Sequence, residues 1–250
     1  MSKSPSVSAL PSASVQAYVL TNLRTAILSG ALEPGHHLVE RELKQLYGAS
    51  RSSIREALRQ LIAEGLVTAV PNLGSVVTRL TLEQVEQLYE VRIELENLAG
   101  RLFVLRADPS SRAALLGALD AIERAAAKQR PIIDKHDAFH EVLYAGGGSA
   151  PLHASAMSLR SRTRYLVSLS LGRPYHAERS IAALRAIVDG VVANDPQATG
   201  RACARHATIE CAAALMVLSV LPGPVTSSSG PAAAVAPARS AATVGRAGRA

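Results

Sequence analysis

The chain has 250 residues, 48% of them apolar, which excludes an intrinsically disordered protein and leaves room for one large core or two modest ones. Aromatics are 3% and Trp is absent, so cores must be built from Leu, Ala, Val and Ile, a composition that favours packed helices over a sandwich. Lys and Arg outnumber Asp and Glu by 27 to 20, and the formal charge of +7 fits an anionic partner without identifying one.

Residues 1–13 are rich in Ser and Pro and lack the apolar stretch of a secretory signal. Residues 222–250 are rich in Ala, Pro and Arg and carry no acid. Both segments read as disordered tails. Residues 14–79 hold short elements. A helical period through Val19, Leu20, Leu23, Ile27 and Leu28 ends at Ser29-Gly30, and Pro34-Gly35 makes a turn. Glu40–Tyr47 is a second helix, stopped by Gly48. Ser50 caps a third, with a core face of Ile54, Ala57, Leu58, Leu61 and Ile62. Two strands, 66–70 and 75–78, flank a turn at Pro71–Gly74. This order predicts a winged helix-turn-helix.

Residues 80–221 read as helices alone, over 81–107, 110–129, 131–145, 150–171, 175–193 and 196–220. The expected fold is therefore mostly α, a winged helix-turn-helix followed by an all-helical bundle of about six helices. Thr81 and Gln84 form a capping-box pattern, and Leu82, Val85, Leu88, Tyr89, Ile93, Leu95, Leu98, Ala99 and Leu102 give the first long helix its buried face. Gly146-Gly147-Gly148 reads as a flexible connection. Cys203 and Cys211 lie eight residues apart on one helix, about 12 Å of rise, too far to bridge each other. Two reduced thiols point to the cytoplasm. The most apolar run, Cys211–Leu221, is shorter than a bilayer span, so no membrane partner is expected.

In a helix-turn-helix the second helix offers its N-terminal residues to the major groove. Here that end reads Ser50-Arg51-Ser52-Ser53-Ile54-Arg55. Arg51 and Arg55 share a face, and a guanidinium fork matches guanine O6 and N7. Ser52 and Ser53 are within reach of phosphates or bases, and Arg41 sits in the first turn of the preceding helix. Asn72 and Gly74, at the hairpin tip, are candidates for the minor groove or the backbone. The plain alternative is a solvated arginine stripe, which the element order disfavours.

The runs Leu23–Gly35, Leu38–Leu43, Ser50–Leu58 and Glu64–Val67 resemble the GntR superfamily of bacterial regulators, and the helices behind them resemble the FadR-type branch with its FCD effector domain. The resemblance covers residues 15–220. It implies a homodimer on a pseudo-palindromic double-stranded operator, base reading at Arg41, Arg51 and Arg55, and action as a repressor released by a small organic acid.

His136 and His140 stand at i and i+4, a spacing that can chelate a transition metal, with His206 placed to approach across the bundle. The resemblance implies four ligands. Phe139-His140 fits one, and the eleven residues from Asp195 to His206 fit another. His136 stands where an Asp is usual, and Leu184 stands where the fifth-helix His is usual. His176 is too far along the helix to replace it. A three-His site would suit zinc or nickel and leave positions open for a carboxylate effector; a metal-free pocket is the competing reading. Arg92 is either a cavity-facing effector residue, as the resemblance implies, or one partner of a helix-surface ion pair with Glu96.

His136-Asp137-Ala138-Phe139-His140 also has the outline of a zinc-hydrolase motif with Asp for Glu. A hydrolase and an effector-free architectural DNA-binding protein are thus the rival classes. No catalytic residues are expected.

Overall fold

A computed structural model of the protein describes residues 12–221. The two expected tails lie outside these residues, except that α1 already begins at Ser12 (Ser12–Leu28), inside the segment read as N-terminal tail. Among the described residues the chain divides into two compact units, with the boundary between Thr78 and Arg79.

In the first unit, α1, α2 (Glu40–Tyr47) and α3 (Arg51–Ala63) pack around fully buried Val19, Leu23, Ile54, Ala57 and Leu61. Ser50 Oγ accepts from the Ser53 backbone N–H at 3.1 Å, which starts α3 by satisfying one of its free amides. Gly48 closes α2 in the left-handed conformation at φ 61°, where only glycine is free of Cβ strain. Arg24 donates two hydrogen bonds to Glu64, at 2.9 and 2.5 Å, and ties α1 to the end of α3.

The wing is a three-stranded antiparallel sheet in the order β1-β3-β2, built from β1 (His37–Leu38), β2 (Val67–Val70) and β3 (Gly74–Val77). β2 pairs with β3 in the hairpin expected from the sequence, from Val67↔Val77 to Val70↔Gly74. β1 was not foreseeable: two residues are too few to show alternation, and their partners, Val76 and Ser75, lie far along the chain.

The second unit consists of α4 (Leu82–Arg106), α5 (Pro109–Ala127), α6 (Ile133–Gly146), α7 (Ala150–Leu171), α8 (Pro174–Val192) and α9 (Pro196–Val220). The capping box is present: Thr81 Oγ1 accepts from the Gln84 backbone N–H at 3.1 Å, and Gln84 Oε1 from that of Thr81 at 3.0 Å. α4 pairs most extensively with α9. A Cβ on Gly100 would stand 2.6 Å from Cys203 Sγ, so glycine is what lets the two helices meet there. Cys203 is buried, Cys211 partly exposed, and both are free thiols.

Two expectations need correcting. The end of α6 is not a loose glycine connection, because a Cβ on Gly146 would run into the Phe103 ring. The buried face of α4 omits Leu82, which is 48% exposed, keeps Val85, Leu88, Tyr89 and Ala99, and adds Arg92, Glu96 and Phe103. Two charges thus occupy core positions. α9 as a whole is long and apolar enough to cross a membrane by length and composition alone, a test that a core helix also passes. Its pairing with α4 and α8, and its buried His206 and Glu210, are those of a core helix.

Candidate functional site

The N-terminal end of α3 is open. Arg51 and Arg55 are 73% and 52% exposed, and Arg41 and Ser52 are also exposed. Glu40, the first residue of α2, accepts from Arg51 Nε at 3.2 Å and from Arg55 Nε at 2.9 Å, so one carboxylate joins both arginines. The Arg55 bond and, after the opposing effect of burial, the Arg51 bond hold its carboxyl below the usual carboxylate range. Ser53 departs from expectation. It is buried, with its Oγ 2.9 Å from Ser50 Oγ, so it serves the helix cap and not an external ligand. Asn72 (φ 63°) and Gly74 (φ 82°) lie at the exposed hairpin turn beside Leu73, itself 59% exposed.

In the second unit α4, α6, α7, α8 and α9 surround a chamber filled by buried polar side chains. Arg92 is 1% exposed, which excludes the surface ion pair. Its pair with Glu96 is real but internal. Arg92 Nη2 donates to Glu96 Oε1 at 2.6 Å and to Glu210 Oε2 at 2.7 Å, and Nη1 donates to Thr163 Oγ1 at 3.1 Å. Arg160, from α7, donates to Glu210 Oε2 at 3.4 Å, His136 Nδ1 at 3.1 Å and Asp137 Oδ1 at 3.3 Å.

His136, His140 and His206 are wholly buried, and one ring nitrogen of each falls within 4.8 Å of the others. His140 Nδ1 lies 2.8 Å from the His136 carbonyl oxygen. Ser180 Oγ stands 3.2 Å from His206 Nε2 and 3.3 Å from His136 Nε2. Ser180 is what α8 presents here. Leu184, one turn further on, is fully buried in the apolar core with Phe139 and Leu143, and His176 is not part of the cluster.

Burial holds the His136 and His140 imidazoles well below 6.5; Glu210 opposes this at His136, and the Arg160 charge adds to it at both. Burial alone would raise the Glu210 carboxyl, but Arg160 and Arg92 outweigh it and hold it far below the usual carboxylate range. Glu96 is lowered on the same balance, burial against Arg92. Several buried polar atoms have no hydrogen-bond partner, among them Glu96 Oε2, His140 Nε2, His206 Nδ1 and Glu210 Oε1. Such orphans are costly when buried and mark a place built to receive something. Unpartnered imidazole nitrogens close to an unpartnered carboxylate oxygen are a donor set that fits a divalent cation.

Asp137 cannot play the base of a zinc hydrolase. Its oxygens take the guanidinium groups of Arg160 at 3.3 Å and Arg164 at 2.6 Å. Glu96, Arg160, Ser180 and Glu210 were absent from the sequence-derived site. The available signals were the i, i+4 steps from Arg92 to Glu96 and from His206 to Glu210, which place charge on otherwise core-facing stripes.

A basic helix end on a winged helix-turn-helix, joined in one chain to an all-helical unit with a polar interior, defines a two-domain DNA-binding regulator class. The profile "Bacterial regulatory proteins, gntR family" matches residues 16–77, and "FCD domain" matches residues 87–208. The chain belongs to the GntR family and carries an FCD domain behind its helix-turn-helix. The uncharacterized HTH-type transcriptional regulator YdhC of Bacillus subtilis is 36% identical over 124 residues, 48% of this chain and 55% of that protein. The HTH-type transcriptional repressor GlaR of Escherichia coli is 32% identical over 134 residues, 51% of this chain and 60% of that protein. The matches thus span little more than half of these relatives. A solved transcriptional regulator GntR from Rhodococcus sp. RHA1 shares the fold at a TM-score of 0.69 and 22% identity, over 84% of this chain and 100% of that one. The family and these relatives are transcriptional regulators, not enzymes.

Proposed function

We propose that the protein is a sequence-specific DNA-binding transcription regulator, acting as a repressor whose operator binding responds to a small carboxylate in the helical domain. The observation that carries this reading is the exposed pair Arg51 and Arg55 at the open N-terminal end of α3. Two copies related by a two-fold axis would set two such ends in successive major grooves, so the operator is a pseudo-palindrome. Arg41, Arg51 and Arg55 choose bases, Ser52 adds a hydroxyl at the same end, and Asn72 and Gly74 bring the wing to the adjoining backbone or minor groove. It acts in the cytoplasm, with its DNA.

Charge supports a metal in the chamber. Arg92 and Arg160 are balanced by Glu96 and Glu210. A carboxylate entering this neutral set would be an unpaired buried charge, a state that costs several kcal/mol. A zinc or nickel ion among the histidines supplies the missing positive charge and an open position for a carboxylate oxygen. The effector must bind the two arrangements of the dimer unequally to change operator occupancy.

The test is selection of bound genomic fragments at physiological salt, with Arg51→Ala in parallel. The native protein should enrich a short pseudo-palindrome, and Arg51→Ala should lose about 1–3 kcal/mol of preference at one base pair in each half-site. Equal behaviour of the two proteins on every fragment defeats the specific-regulator reading.

A further inference from the structure

We propose that the divalent ion of the chamber is held by His140 Nε2, His206 Nδ1 and Glu96 Oε2, with His136 outside the ligand set as the hydrogen-bond partner of Arg160. The inference rests on the metal reading above and changes which atoms do the binding.

Proton placement separates the histidines. A guanidinium only donates, so Arg160 Nη2, 3.1 Å from His136 Nδ1, makes that nitrogen an acceptor. The one proton of this neutral ring then sits on Nε2, the atom that faces the cluster. A protonated nitrogen has no lone pair for a cation. To ligate, His136 would have to move its proton to Nδ1, against an arginine N–H that never dissociates.

His140 has the opposite pattern. A carbonyl only accepts, so its Nδ1 carries the proton and donates to the His136 oxygen at 2.8 Å. Nε2 is left bare, buried and without a partner. A backbone carbonyl that fixes the far nitrogen of an imidazole is the usual support of a metal-bound histidine. Ser180 Oγ has two lone pairs and can accept from both His136 Nε2, at 3.3 Å, and His206 Nε2, at 3.2 Å. His206 Nε2 also lies 3.3 Å from His136 Nε2, and His206 Nδ1, the other nitrogen of that ring, is buried without a partner.

Glu96 completes the set. Arg92 takes only its Oε1, through Nη2 at 2.6 Å and Nε at 3.2 Å. Oε2 is buried, unpartnered and 4.0 Å from both His140 Nε2 and His206 Nδ1. Donors on a tetrahedral zinc with bonds of about 2.1 Å stand about 3.4 Å apart, so the Glu96 oxygen and each of the two nitrogens need only a small closure to share an ion. One cation would satisfy three orphans together. Glu96 thereby fills on α4 the vacancy that Leu184 leaves on α8, and its second oxygen links the ion directly to Arg92.

The test uses full-length protein stripped with chelator and titrated with Zn²⁺ against a chromophoric competitor. Glu96→Gln should weaken zinc at least about a hundredfold, beyond the effect of an outer-shell partner. His136→Gln should stay within about tenfold of the native protein. The reverse order overturns the inference. Long-range ¹H–¹⁵N spectra of the zinc-loaded native protein give the same answer without a variant that must fold. Metal-shifted nitrogens are expected at His140 Nε2 and His206 Nδ1, with His136 still protonated at Nε2, and a metal-shifted His136 refutes the assignment. Native protein that takes up no zinc defeats this inference and the metal reading together, whereas zinc bound through His136 defeats this inference alone.

Discussion

The molecule uses the same pairing, two arginines to glutamate, in two opposite surroundings. At the start of α3, Glu40 holds Arg51 and Arg55 in the open, with arginine exposures of 73% and 52%. Inside the helical unit, Glu96 and Glu210 hold Arg92, and Glu210 also holds Arg160, with exposures between 1% and 6%. Water screens the first group, so each bond contributes at most about 1 kcal/mol and can be exchanged for a phosphate or a base. The second group has no water to fall back on, and removal of one member strands the others. Exposure, more than pairing, decides which arginines are free to take a new partner.

The widest test of that contrast is Glu210→Ala. It leaves Arg92 and Arg160 short of a counter-charge and should cost about 3–5 kcal/mol in urea unfolding. A loss below about 1 kcal/mol would mean that solvent reaches the chamber and that the two regions do not differ in kind.

Acid should separate the regions next. His136 and His140 have folded-state pKa values well below 6.5, so the unfolded chain binds more protons as pH falls through 6.5. Stability is therefore full above that pH and declines below it, by up to about 1.4 kcal/mol per pH unit for each histidine. Glu96 and Glu210 act in the same direction at lower pH, because their lowered carboxyls contribute stability above the unfolded value of about 4.3 and lose it as they protonate. Urea midpoints of metal-free protein at pH 7.5 and about 5.5 check the histidine part. A flat profile over that interval would contradict buried neutral rings.

The smallest effect is expected at Glu40. Glu40→Gln should change unfolding stability by less than about 1 kcal/mol. It should nevertheless raise affinity for random-sequence DNA and steepen its salt dependence, since two arginines are released to phosphates. Unchanged non-specific binding would show that the carboxylate does not compete with DNA.

What could be read in advance follows the same division. Six helices of the second unit announce themselves through apolar period, Pro and Gly punctuation and the Thr81 cap. The three histidines are legible because i, i+4 spacing alone puts His136 above His140. Arg160, Ser180 and Glu210 are not legible, because a charged or hydroxyl residue on a helix normally faces water and only packing from other helices turns it inward. Leu82 reads as part of the α4 core, and the surface pair of Arg92 with Glu96 stays open beside a cavity-facing Arg92, for the same reason: period ranks positions by hydropathy, and a functional interior inverts that ranking. Ser53 errs the other way. Its place beside two arginines reads as a contact residue, while its role as cap partner of Ser50 depends on local geometry.

The close meeting of α4 and α9 at Gly100 also sorts the two cysteines by chemical accessibility. Cys203 Sγ lies wedged at the helix crossing, and burial pushes its thiol well above the ordinary range, so it resists both alkylation and oxidation. Cys211, two turns on and partly exposed, is the thiol that a maleimide would find. It neighbours Glu210 in the chain. A dye or spin label placed there, with no engineered residue, would sit beside the chamber and report its filling in the native sequence.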